Sequence, residues 1–205
     1  MMKFPTLFLV LSLAPISASQ STTTTPTNLP PPEITGTFTA GARVLIHNTT
    51  VSAAWSALTN FPAYATWNPF VRSAIVLSPL NITSHEQYPA VGKNLYMRTQ
   101  IPPLPLPVNE HTPDNPSSIQ LAYEEITHVD KDQGRLAWKY IAEALLQAER
   151  WQAISDAGDG SVLYESREIF AGPLSGVLEA SMGEGLQKSF DAQGAGLKLL
   201  LEGGA

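Results

Sequence analysis

The segment Asn60–Phe70, NFPAYATWNPF, places four aromatic rings and two prolines within eleven residues. Prolines at 62 and 69 bar a regular helix or a paired strand through it. Before it, Val51, Ala54, Trp55 and Leu58 recur at helical spacing, with Thr50 or Ser52 available to cap the helix. After it, Val71, Ser73, Ile75 and Leu77 alternate as in a strand, up to Pro79. The rings therefore sit in a linker between a helix and a strand. They either plug a core from the side or form the wall of a cavity.

Upstream, Thr37–His47 alternates, with Phe38, Ala40, Ala42, Val44 and Ile46 on one face of a half-buried strand. Downstream, four further runs alternate: Leu95, Met97, Thr99 and Ile101; Ile119, Leu121, Tyr123 and Glu125; Leu136, Trp138 and Tyr140; and Val162 to Phe170. Ala144–Ile154 also fits a strand, but both of its faces are mixed and leave the register open. Turn signals at 132–134 and 156–160 join these runs into an antiparallel sheet. The piece IPPLPLPVNEHTPDNP, 101–116, is too rich in proline for a sheet interior and predicts an exposed loop or hairpin flap. After Pro173 the period changes: Leu178, Met182, Leu186, Phe190, Leu197 and Leu201 stripe a long amphipathic helix, despite glycines at 183, 185, 194 and 196.

The chain has 205 residues, enough for one domain with a full core. Its net charge of −6 leaves no basic surplus for phosphates, so nucleic acid is excluded as a partner class. Residues 1–19 have the layout of a signal peptide, and their apolar run is too short to span a bilayer, so no transmembrane segment is expected in the mature chain. Residues 20–33, Thr/Pro-rich, predict a disordered leader, and 34–205 a single domain. Asn48 and Asn81 head Asn-x-Thr triplets, candidate glycosylation sites on surface turns for a protein secreted or held in the secretory lumen. Without cysteine there is no disulfide framework or thiolate site.

FPAYATWNPFVRSA, AERWQ, YESREIFAGPL and GLQKSFDAQGAGLK together resemble the SRPBCC superfamily, which includes START-type, pollen-allergen-like and polyketide cyclase/dehydratase members. The likeness runs over about Thr37–Glu202 and rests on Trp67–Phe70 and on the Glu168-x-Phe170-x-Gly172 pattern before the last helix. It implies an α+β helix-grip fold: a curved antiparallel sheet wrapped around the long C-terminal helix, with an internal apolar cavity.

Polar groups carried inward on such strands are the candidate chemistry. Glu168, Tyr164 and, if Trp151 points inward, Glu149 are the candidate catalytic residues. A carboxylate in an apolar pocket is costly to ionise, which suits acid/base work. Glu168 also has structural alternatives, pairing with Arg150 or Arg98 or capping the last helix; Glu125 shares the inward face of its run, but its place near a strand end favours a structural, solvent-reaching role. Tyr64, Trp67, Phe70, Tyr123, Trp138, Tyr140, Trp151 and Phe190 are the candidate ligand-binding residues. The four histidines are dispersed, so neither a metal site nor a cofactor is expected. No GxSxG elbow occurs, and the glycine pairs lie within a helix rather than after a strand. The expected partner is a hydrophobic small molecule. The expected role is cyclisation or dehydration of a polyketide- or isoprenoid-like intermediate; the alternative is a non-catalytic carrier or sensor of lipid, sterol or quinone.

Overall fold

The computed structural model describes residues 26–142 and 144–203. The signal peptide expected over 1–19 lies outside the described residues. In chain order the elements are β1 (Phe38–Ile46), α1 (Val51–Thr59), a 3₁₀ turn (Phe61–Ala63), α2 (Tyr64–Trp67), β2 (Val71–Leu77), β3 (Asn94–Gln100), a second 3₁₀ turn (Pro116–Ser118), β4 (Ile119–Asp130), β5 (Arg135–Tyr140), β6 (Gln147–Gly158), β7 (Ser161–Ala171) and α3 (Ser175–Leu201). The strands form one seven-stranded sheet in the order β1-β7-β6-β5-β4-β3-β2, with every neighbouring pair antiparallel. Sheet and closing helix make the helix-grip fold.

The opening segment shows how local chemistry sets the path of the chain. Thr50 Oγ1 accepts a hydrogen bond from the Ala53 amide at 3.1 Å and caps α1. Pro62 then falls within the tight 3₁₀ turn, where its missing N–H is no loss. Buried Asn68 accepts hydrogen bonds from the amides of Phe70 and Val71, both at 3.0 Å, and so turns the chain into β2. Phe61, Tyr64 and Trp67 pack edge to face beneath it.

α3 lies close enough to its neighbours that glycine is needed on one side. A Cβ on Gly196 would stand 2.5 Å from the Trp67 carbonyl oxygen, and one on Gly194 would stand 2.7 Å from a Val44 methyl. Two of the four glycines read from the sequence as weakening the helix, Gly194 and Gly196, are thus positions where α3 meets β1 and the aromatic linker.

Two segments differ from the sequence reading. The Pro-rich stretch after β3 is a docked loop, not an exposed flap. Leu104 and Val108 are buried, and Arg72 Nη2 donates to the carbonyls of Asn109 and Thr112 at 2.9 and 3.1 Å. Asp114 bridges Arg72 and Arg98. Residues 20–33 predict disorder, yet from Asn28 the chain is strapped across the outer face of the sheet. Glu165 accepts from the Asn28 amide at 2.7 Å, Arg135 donates to the Asn28 carbonyl at 2.8 Å, and Arg167 donates to that of Pro30 at 2.7 Å. Glu33 pairs with Lys139. A segment with almost nothing apolar to bury is held instead through its main chain, by charged side chains that need partners.

A cavity with two carboxylates and one guanidinium

Between the sheet and the first half of α3 lies a cavity of about 200 Å³. Phe70, Met97, Trp138 and Phe170 form apolar walls, and Leu178, Met182 and Leu186 of α3 close it. Three ionisable groups also line it: Glu124, Arg150 and Glu168.

Their convergence follows from register. Glu168 on β7 stands opposite Arg150 on β6, Arg150 opposite Trp138 on β5, and Tyr140 of β5 opposite Glu124 on β4. Same-face side chains of adjacent strands lie about 5 Å apart, and the concave curl of the sheet brings this row together over the cavity.

Arg150 is held firmly. Its Nη2 donates to Gln193 Oε1 at 3.0 Å and to Ser166 Oγ at 3.3 Å, and its guanidinium lies 4.2 Å from the Phe190 ring centroid. Gln193 in turn donates to Gln152 Oε1 and to the Tyr164 hydroxyl, and Tyr164 donates to Gln152 at 2.7 Å. This network ties α3 to β6 and β7. Neither carboxylate shares in it: among the described residues the side chains of Glu124 and Glu168 make no hydrogen bond and no ion pair, although both are buried.

Burial therefore governs their protonation. Desolvation raises Glu168 to about 6, with Arg150 holding it back. Glu124 is raised well above the usual carboxylate range by burial first and by the neighbouring Glu168 charge second, again opposed by Arg150. Of the two, Glu168 ionises first as pH rises, and Glu124 keeps its proton to higher pH. One cavity thus holds a base, an acid and a fixed cation.

Of the residues singled out in the sequence, Glu168, Phe70, Trp138 and Tyr140 line this cavity. Tyr164 faces the same side of the sheet, but its hydroxyl is consumed by Gln152 and Gln193 and it does not line the space. Phe190 supports Arg150 from behind, and Tyr64 and Trp67 are core, the Tyr64 hydroxyl donating to the Leu58 carbonyl at 2.6 Å. Glu149 and Trp151 lie on the outer face, hydrogen-bonded to each other at 2.8 Å, with Trp151 against His128. Tyr123 is also outward, its hydroxyl accepting from Asn94. Asn48 and Asn81 occupy exposed turns with left-handed backbone, φ 54° and 62°.

The sequence reading missed Glu124 because it took the apolar face of β4 as the inner one. The inner face of β4 is Gln120, Ala122, Glu124 and Ile126, while Leu121 on the other side is 60% exposed. Arg150 entered the sequence reading only as a structural partner for Glu168; the register of β6 against β7 sets it opposite that residue on the cavity wall.

The fold is shared by solved structures of low identity. A hypothetical protein, jhp0584, from Helicobacter pylori aligns with a TM-score of 0.59 at 10% identity, over 80% of this chain and 88% of that one. KanY aligns at 0.54 and 16% identity over 82% and 99%. Norcoclaurine synthase from Thalictrum flavum aligns at 0.51 and 11% identity over 80% and 85%. The resemblance to the SRPBCC superfamily therefore holds at the level of the fold. No family model matches the chain, and no curated protein matches it in sequence. No helix among the described residues is long and apolar enough to cross a membrane.

Proposed function

We propose that this helix-grip chain is a small-molecule enzyme of the secretory pathway that moves protons on a hydrophobic carbonyl compound, in a cyclase- or dehydratase-like reaction on a polyketide- or isoprenoid-like intermediate. The observation that carries this reading is the pair of buried, unpartnered carboxylates flanking Arg150. A pocket built only to carry an apolar ligand has no use for two carboxyl groups whose ionisation burial opposes. That a synthase is among the proteins with this fold is compatible with the reading.

The roles follow from protonation. Ionised Glu168 takes the proton from the carbon beside the substrate carbonyl. Arg150, whose side chain lines the cavity, donates to the carbonyl oxygen as negative charge develops there. In a dehydration, the C–O bond to the β-hydroxyl breaks and the Glu124 proton leaves with it as water. Glu168 ends protonated and Glu124 ionised, and exchange with solvent through the cavity mouth resets both.

Native mass spectrometry of the purified protein and of its Glu168→Gln and Glu124→Gln variants tests this. A compound carried by the Gln variants, and released by the wild type as an isomer or with one water fewer, supports the enzyme. The apolar walls favour a second reading, a carrier. The same unchanged compound in all three proteins would establish the carrier and remove the enzyme.

A further inference from the structure

The cavity does not end at its lining. Tyr140 and Leu146 belong both to it and to a neighbouring open groove of about 610 Å³, between the start of α3 and the segment joining β5 to β6. Apart from Tyr140, the described residues lining the groove are aliphatic, among them Ile141, Leu145 and Leu174. Ile141 is 40% exposed, Leu145 57% and Leu174 45%, and Val177 beside them on α3 is 65% exposed. The groove walls are joined by backbone hydrogen bonding, the Leu174 amide donating to the Leu145 carbonyl at 3.0 Å. A cluster of large exposed apolar side chains at the mouth of a charged cavity is what a bound apolar group would cover.

We infer that the groove is the tail subsite of the same ligand, so that the substrate class is amphipathic: a compact uncharged carbonyl head inside the cavity and a linear apolar tail running out past Tyr140 and Leu146. This inference rests on the ligand-binding reading above and adds to it the shape of the ligand. Size argues for it first. The inner space is smaller than the ~300–1,000 Å³ of sites that enclose a drug-sized ligand. Polarity argues for it second: the charged groups Glu124, Arg150 and Glu168 line the inner chamber, whereas the described residues of the groove are aliphatic apart from Tyr140. The shared residues argue third, because half-buried Tyr140 and Leu146 line both spaces.

A series of straight-chain 2-alkanones from four to ten carbons tests it. Binding is followed by quenching of tryptophan fluorescence, since Trp138 lines the cavity, and by methyl NMR of Leu145, Leu174 and Ile141. Short members are expected to bind without moving the groove methyls. Longer members are expected to shift those methyls and to gain about two- to fourfold in affinity per methylene. The double substitution Leu145→Gln and Leu174→Gln, at two exposed positions, is expected to abolish that gain and leave the short members unaffected. Binding of short members with no gain along the series overturns the tail subsite while the cavity stands. Absence of binding at every length overturns the cavity reading and the subsite with it. If the double variant instead loses self-association or vesicle binding with the chain-length gain unchanged, the groove has another occupant and the inference fails.

Discussion

At the scale of single residues, Glu168 joins function to stability. Its folded-state value of about 6 lies above its ordinary 4.5, so the folded protein binds the proton more tightly than the unfolded chain does. That linkage favours the fold at low pH, and the benefit is lost as pH rises through about 4.5 to 6. Above that range the ionised carboxylate costs about 2 kcal/mol. Glu168→Gln is therefore expected to be the more stable protein at pH 7.5 by about that amount and indistinguishable at pH 4.5, by urea unfolding at both values. A variant less stable at pH 7.5 would mean that Arg150 holds the carboxylate more strongly than burial opposes it. Glu168 itself was legible, because Tyr164, Ser166, Glu168 and Phe170 alternate without interruption. Glu124 was not, since β4 turns its polar face inward and its apolar Leu121 and Tyr123 outward. Hydrophobic alternation reads a strand correctly only where the inner face is apolar, and a reactive cavity is the place where it is not.

At the scale of elements, the linker 60–70 divides its rings between two tasks. Phe61, Tyr64 and Trp67 are core, and Phe70 alone among them touches the cavity. Trp67→Ala is expected to lower unfolding free energy by about 3–5 kcal/mol and to leave 2-alkanone affinity within about twofold. Phe70→Ala is expected to weaken that affinity. Equal losses of affinity in the two variants would return Trp67 to the ligand wall. The β6–β7 hairpin makes a complementary point. Asp159 and Gly160 form its turn with φ of 51° and 69°, and the register shifts between Asp156 and Gly158, where Asp156 accepts a hydrogen bond from the Gly158 amide at 2.8 Å. Without that bulge the pairing would slip by one residue, and Ile169 rather than Glu168 would stand opposite Arg150. Period alone does not reveal such a bulge and leaves the register of this strand open between Glu149 with Trp151 inward and the observed arrangement, in which Arg150 points in.

At the scale of the whole molecule, the strap covers the outer face of the sheet, while the loop pinned by Arg72 runs beside α3. Removing residues 1–33 strips partners from Glu165, Arg135 and Arg167 together. The truncated protein is expected to lose about 3 kcal/mol or more of stability, measured by urea unfolding, with cavity affinity unchanged. A truncation without effect would make the strap an ornament of the surface. Strand and helix periods, proline stops and the closing amphipathic stripe are local properties, and for that reason the sequence by itself determined the order of elements and the α+β class, while the helix-grip expectation came from the resemblance. Which face each strand turns inward depends on one-residue shifts set by bulges and by neighbours far along the chain. Only the tertiary structure could therefore decide that Glu124, Arg150 and Glu168 meet in one cavity, and that the aromatic linker is mostly core.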